Sequence, residues 1–215
     1  MYSTDKKDKI LITGASSGLG YYLSKCFSNY GHDLIITGRN TEKLNEMKSK
    51  LPTSISVVSG DLLNLNHIQR LRDKFISSEA TVLINNAGVT CSGLPLDKLS
   101  VDRILDTINV NLTAPFLLTK YLYNHLTSLI NINSMVGLEH KKHRTAYGAS
   151  KWGLKGFSES LKLETSINIV DVYPTSIKTT PNRKNAMEVD FVCQKIYETY
   201  NKKITKKLVL DGRPK

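Results

Sequence analysis

The sequence predicts an α/β fold, a single doubly wound parallel sheet of about seven strands with helices on both faces. Three observations carry that expectation. Short apolar runs alternate with longer amphipathic stretches along the 215 residues; a glycine-rich run, TGASSGLG at Thr13 to Gly20, joins the first apolar run to the first amphipathic one; and polar motifs fall where later apolar runs end. Strands alternating with helices imply crossover connections, and crossovers join parallel strands.

The candidate strands are KILIT (9–13), DLIIT (33–37), ISVVS (55–59), TVLIN (81–85), SLININ (128–133), INIVDVY (167–173) and KKLVL (206–210). Each is too short for a stable helix and rich in Ile, Val and Leu, as strands covered on both faces are. Amphipathic spacing predicts helices over Leu19–Tyr30, Glu42–Lys50, Asn64–Ser78, Leu99–Leu126, Thr145–Glu164 and Val189–Asn201. Ligands of such a sheet bind beyond the carboxyl ends of its strands. The motifs obey that rule: TGASSGLG follows strand one, NNAG (85–88) ends strand four, Ser134 ends strand five and Pro174 ends strand six.

Length and composition fit one domain over residues 1–215. No apolar stretch approaches the roughly 18 to 20 residues that a membrane span needs, and MYSTDKKDK lacks the apolar centre of a signal peptide. A soluble cytoplasmic protein without a membrane partner is expected. Cys26, Cys91 and Cys193 form no CxxC pair, and no His accompanies them at ligand spacing, so reduced thiols and no metal are expected. Lys and Arg number 30 against 19 acids, a net charge of +11. The cations are spread along the chain and not interleaved with aromatics, which speaks against nucleic acid and for a solvated surface that also favours a phosphate-bearing ligand.

Gly14, Gly18 and Gly20 stand in GxxxGxG spacing. Glycine frees the backbone for a tight turn, lets main-chain N–H groups approach a diphosphate, and leaves it at the positive end of a helix. Tyr147 and Lys151 lie four residues apart in YGASK, thirteen residues after Ser134. At that spacing they share a helix face, so the ammonium favours the phenolate of a tyrosine whose hydroxyl ordinarily titrates near a pKa of about 10. A proton donor thus activated suits reduction of a carbonyl, with Ser134 placed to hydrogen-bond the substrate oxygen.

Taken together, TGASSGLG, NNAG, Asn111 in NVNLT, Ser134 in INSMVG and YGASK resemble the short-chain dehydrogenase/reductase family, over about Lys9 to Thr179. The resemblance implies a Rossmann-like dinucleotide-binding catalytic domain and hydride transfer between a nicotinamide cofactor and a carbonyl or alcohol, with Asn111, Ser134, Tyr147 and Lys151 as the catalytic set. Lys151 would also hold the nicotinamide ribose, and Asn111 a water linking Lys151 to solvent. Cofactor contacts fall on Gly14, Ser16, Ser17, Gly18, Leu19 and Gly20 around the diphosphate, on Asp61 and Leu62 at the adenine, and on Asn85, Ala87 and Gly88 near the adenosine ribose. Pro174, Ile177 and Thr179 fall on the nicotinamide side. Gly38 stands where relatives that use NAD carry an acid, and Arg39 follows, so NADP(H) is the expected cofactor and NAD(H) the second choice. Thr175 replaces the usual glycine after Pro174, and its side chain is expected to crowd the nicotinamide pocket; a weakly active NADP(H) sensor of the same fold is the alternative reading. Substrate choice would rest on the loops Val89–Asp97 and Gly137–Arg144 and on a short substrate loop around 180–189. Lys141 to Arg144 read as a solvated basic loop, with an anionic substrate group as the alternative. Trp152 reads as helix packing. A homodimer or homotetramer is implied by resemblance alone.

Overall fold

The computed structural model describes residues 7–91, 93–180 and 185–213, so the first six residues and the centre of the expected substrate loop around 180–189 lie outside the described residues. Seven strands form one parallel sheet: β1 (Lys9–Ile12), β2 (Asp33–Ile36), β3 (Ile55–Val57), β4 (Val82–Asn85), β5 (Ser128–Ile132), β6 (Asn168–Pro174) and, nearest the C-terminus, β9 (Lys206–Leu210). Their order is β3-β2-β1-β4-β5-β6-β9, and every pairing is parallel. The chain leaves β1 toward β2 on one side and returns to β4 on the other. The strand order reverses there, opening a crevice above the carboxyl ends of β1 and β4.

Apolar runs without polar alternation are explained by what covers the sheet. Successive side chains point to opposite faces. Ile10 and Ile12, Leu34 and Ile36, Val82 and Ile84 join one core with α1 (Gly18–Asn29), α2 (Thr41–Lys50) and α7 (Val189–Asn201). Leu11, Ile35 and Leu83 join the other, with α3 (Leu65–Ser77), α5 (Ala114–Leu122) and α6 (Thr145–Glu164). Helix α3 shows how a helix earns its place: Ile68, Leu71 and Phe75 recur at helical spacing, all but fully buried, and truncating Phe75 to Ala would cost about 3–5 kcal/mol.

One polar ladder crosses this apolar centre. Asn85, Asn131 and Asp171 are in register on adjacent strands. Asn85 Nδ2 donates to Asn131 Oδ1 at 3.0 Å, Asn131 Nδ2 donates to Ser158 Oγ at 2.8 Å, and Lys162 Nζ pairs with Asp171 at 2.7 Å. Slipping a strand would strand these groups without partners, so the ladder specifies register.

Two differences from the sequence expectation bear on the site. The segment 99–126 is not one helix: α4 (Val101–Ile108) passes through a π-helical turn, Asn109–Thr113, into α5, and ends in a 3₁₀ turn, Tyr123–His125. Pro115 has no N–H to give the carbonyl of Asn111 four residues earlier, and the wider turn accommodates that loss. Beyond β6 a small ladder also forms, β7 (Ile177–Lys178) beside β8 (Met187–Glu188), with the Lys178–Glu188 ion pair at 2.9 Å. Two-residue strands carry no readable periodicity.

Candidate active site

A cleft of about 670 Å³ runs over the crevice, from the glycine-rich loop at one end to Tyr147 at the other. Gly14 and Gly18 have φ of 66° and 55°, the left-handed region that glycine enters freely. A Cβ on Gly20 would lie 2.3 Å from the Gly14 carbonyl oxygen and 2.4 Å from Asn86 Nδ2. Gly20 therefore does not line the cleft; its lack of a side chain lets the loop close against NNAG. Asn86 and Thr13 stitch that contact: Thr13 Oγ1 accepts from the N–H groups of Asn86 and Ala87 at 3.0 Å each, and Asn86 Nδ2 donates to the Thr13 carbonyl at 2.8 Å. Sequence reading singled out Asn85 and passed over Asn86. Asn85 turns into the sheet to Asn131, and Asn86 is the one at the cleft wall, since neighbouring residues at a strand end face opposite ways.

Ser16, Ser17, Gly18 and Leu19 line the cleft at the start of α1. Ser17 makes no side-chain capping bond, and the first turn carries no acid. The N–H groups and partial positive charge of that turn are left for an anion, and a dinucleotide diphosphate fits there.

Where β2 ends at the cleft, a Cβ on Gly38 would sit 2.7 Å from Ser16 Oγ, so an acid at 38 would have to displace Ser16. The Arg39 side chain is 76% exposed and reaches to 4.0 Å from Asp61; Asp61 and Leu62 form the facing wall. Beneath the floor His67 is buried, its Nε2 at 2.9 Å from Thr37 Oγ1 and its Nδ1 at 3.3 Å from Arg70. Arginine only donates, so Nδ1 is the bare nitrogen and Nε2–H donates to Thr37. Burial, then the Arg70 charge, hold this imidazole below its ordinary value and neutral. Sequence reading did not find His67; only Gly60, whose Cβ would lie 2.4 Å from the ring, marks it.

At the other end the structure brings Ser134, Tyr147 and Lys151 to one wall. Asn133 joins the end of β5 to α6: its Oδ1 accepts from the Ser134 N–H at 2.9 Å and its Nδ2 donates to the Lys151 carbonyl at 3.1 Å. Ser134 Oγ accepts from the Val136 N–H at 3.3 Å. Lys151 is 4% exposed, its Nζ donates to the Ile132 carbonyl at 2.9 Å and lies 5.8 Å from the centre of the Tyr147 ring. Burial pushes its ammonium down to about 8. Asn111 lies behind the wall, fully buried, where Oδ1 accepts from the Val89 N–H at 2.8 Å and Nδ2 donates to the Val89 carbonyl at 2.9 Å and to Ser150 Oγ at 3.0 Å. Ala87 and Gly88 line the cleft between the two ends.

Pro174, Thr175, Ile177 and Thr179 form the remaining wall. The Thr175 hydroxyl is engaged by the C-terminal segment, accepting from the Gly212 N–H at 3.0 Å, while the Thr175 N–H donates to the Leu210 carbonyl at 2.9 Å. That bond holds the hydroxyl to the tail, while Thr175 itself stands on the cleft wall. Arg213 reaches across to grip both oxygens of Glu139 at 2.8 and 2.7 Å. In the basic loop, Lys141 and Arg144 line the cleft, whereas Lys142 is exposed and off it. Trp152 is not packed in the core: it is 37% exposed and stacks on His140 with ring centres 5.3 Å apart. Among the described residues no group of three or more ligating side chains could hold a metal, and no helix is long and apolar enough to cross a membrane.

Comparison with known proteins agrees with this geometry. The family model described as short chain dehydrogenase matches residues 8–189. A 3-oxoacyl-[acyl-carrier-protein] reductase, FabG, of Rickettsia prowazekii (strain Madrid E) is 32% identical over 197 residues, covering 86% of this chain and 80% of its own. The NADP-dependent 3-hydroxy acid dehydrogenase YdfG of Escherichia coli O6:H1 is 30% identical over 176 residues, 77% of this chain and 71% of its own. In fold, a short-chain dehydrogenase from Streptomyces avermitilis superposes with a TM-score of 0.89 at 23% identity, covering 98% of this chain and 90% of that one.

Proposed function

The chain belongs to the short-chain dehydrogenase/reductase family of oxidoreductases, and on that premise we propose that it transfers a hydride between NADP(H) and a carbonyl or alcohol, with Tyr147 as general acid/base. One observation carries the reading: Ser134, Tyr147 and Lys151 stand on one wall of the cleft whose opposite end is the glycine-rich turn at the start of α1. The nicotinamide, when bound, supplies or accepts the hydride.

The protein's own residues hold the ligands and move the proton. Gly14, Ser16, Ser17, Gly18 and Leu19 receive the diphosphate; Asp61 and Leu62 the adenine; Ala87 and Gly88 the adenosine ribose; Pro174, Ile177 and Thr179 the nicotinamide side. Tyr147 gives its proton to the substrate oxygen during reduction and takes it back during oxidation. Ser134 donates a hydrogen bond to that oxygen as charge develops. Lys151, held to the Ile132 carbonyl, places a positive charge beside the phenol and the cofactor ribose. Asn111 is a positioning residue: its side chain is committed to Val89 and Ser150, so a relay water, if one serves Lys151, would bind its main-chain carbonyl.

NADP(H) is favoured over NAD(H) by the exposed Arg39, by the absence of an acid at Gly38 and by the name of the YdfG relative. The engagement of Thr175 by Gly212 supports turnover over sensing. The chain acts as one dinucleotide-binding catalytic domain in the cytoplasm, as a homodimer or homotetramer. The test is a panel of carbonyls and alcohols followed by the absorbance of the reduced nicotinamide; NADPH binding without turnover of any member would leave only the sensor.

A further inference from the structure

We propose that the substrate carries a carboxylate, gripped by Arg144 with Lys141 at the Tyr147 end of the cleft. The inference rests on the redox reading above and names its substrate class. Arg144 immediately precedes the first residue of α6, three residues before Tyr147, and lines the cleft half-buried. Its hydrogen bond to Thr90 Oγ1 at 3.3 Å occupies one of five donors, and among the described residues it forms no ion pair. A planar guanidinium fork that lines the cleft without a counter-charge matches a carboxylate.

The surroundings keep that charge available. Glu139 and Asp211, the acids of this rim, are both clamped by Arg213, at 2.7 and 2.6 Å. Hydrogen bonds from Arg213 hold the Asp211 carboxyl down to about 2 and Glu139 below its ordinary value, with Lys141 adding to both. Of the described acids that line the cleft, Asp61 sits beside Arg39, and Asp106, on α4, forms no ion pair with Arg144. Backbone geometry fixes the loop as well. His143 adopts φ of 59°, a conformation that non-glycine residues enter at a cost, and its carbonyl accepts from the Gly93 N–H at 3.1 Å. Arg144 is thereby presented to the cleft by a loop tied at Gly93 on one side and, through Glu139, at Arg213 on the other.

The test compares linear oxo acids with their methyl esters and with oxo phosphates of equal length, by NADPH oxidation and by calorimetric titration into the NADP-loaded protein. We expect the acids to be preferred in both readouts, and Arg144→Gln to lower the acid-to-ester ratio of kcat/KM roughly tenfold. Lys142→Gln, which alters an exposed cation off the cleft, should leave that ratio unchanged. Acids that bind in an Arg144-dependent way without being reduced would uphold the carboxylate site and remove the redox reading. Esters or phosphates handled as well as acids, no binding of acids, or an unchanged ratio in Arg144→Gln would overturn the proposal.

Discussion

Asn111 and Ser150 are joined by a hydrogen bond of 3.0 Å, and Ser150 Oγ in turn donates to the Tyr147 carbonyl at 2.8 Å. Two bonds therefore connect the π-turn between α4 and α5 to the backbone of the proposed acid. The same asparagine holds both polar groups of Val89, so it fixes the cleft wall on two sides. Asn111→Ala should destabilise the protein by about 1–3 kcal/mol for each buried group left unpaired, and lower kcat more than NADPH affinity. Thermal denaturation together with a kcat against KM comparison checks this; a variant with native stability and reduced kcat would mean that Asn111 acts in chemistry and not in positioning.

Tyr147→Phe removes one hydroxyl from the cleft wall and leaves α6 otherwise intact. Turnover should fall roughly 10²–10⁴-fold, the usual share of general acid/base catalysis, while NADPH affinity measured by fluorescence titration stays within about twofold. Turnover equal to the parent protein would remove Tyr147 from the proton transfer.

Burial holds the Lys151 ammonium down to a pKa of about 8 in the folded chain, against its ordinary 10.5. Between those values the unfolded chain binds more protons, so stability rises with pH across that window and is lost as pH falls through about 8. At neutral pH the buried ammonium thus costs on the order of 3 kcal/mol, offset in part by its bond to the Ile132 carbonyl. Lys151→Met should be inactive yet more stable than the parent at pH 7, with the advantage vanishing as pH approaches about 10.5. Denaturant midpoints at several pH values read this directly; an advantage that does not change with pH would refute the linkage.

Arg39 stands exposed beside Asp61 on the cleft rim, and the proposed preference for NADP(H) has it meet the 2′-phosphate. Arg39→Asp should reverse the local charge and move the NADPH-to-NADH ratio of kcat/KM toward NADH by at least about tenfold. An unchanged ratio would place cofactor choice elsewhere on the rim.

Much of this could be read from residue order. Alternating apolar runs define the parallel sheet because period-2 strands covered on both faces need no polar side, and the meeting of Gly14, Ser134, Tyr147 and Lys151 on one cleft is legible because each follows a strand end or shares a helix face at fixed spacing. Partners distant in sequence were not. Asn86 needed the pleat at the end of β4 to distinguish it from Asn85; His67 needed the packing of Gly60; the π-turn left only Pro115 as a sign. The Arg213–Glu139 clamp joins residues 74 positions apart, and nothing in the local pattern of either segment announces it.

Thr175 stands where the resemblance leads one to expect glycine, and its bonds tie it to the C-terminal segment. Its hydroxyl accepts from Gly212, whose Cβ, were it present, would lie 2.4 Å from Met187 Cγ. The residue therefore helps to hold the C-terminal segment against β8 and keeps Arg213 within reach of Glu139. Thr175→Gly, which restores the usual residue, removes that acceptor and adds backbone entropy to the unfolded chain, each worth roughly 0.5–1.5 kcal/mol. Stability should fall by about 1–3 kcal/mol, KM for the substrate should rise, and NADPH affinity should hold, because the diphosphate end of the cleft is untouched. If Thr175 instead crowded the nicotinamide, the same substitution would tighten NADPH binding and raise kcat, so a single variant measured by denaturation, NADPH titration and steady-state kinetics separates an anchoring side chain from an obstructing one.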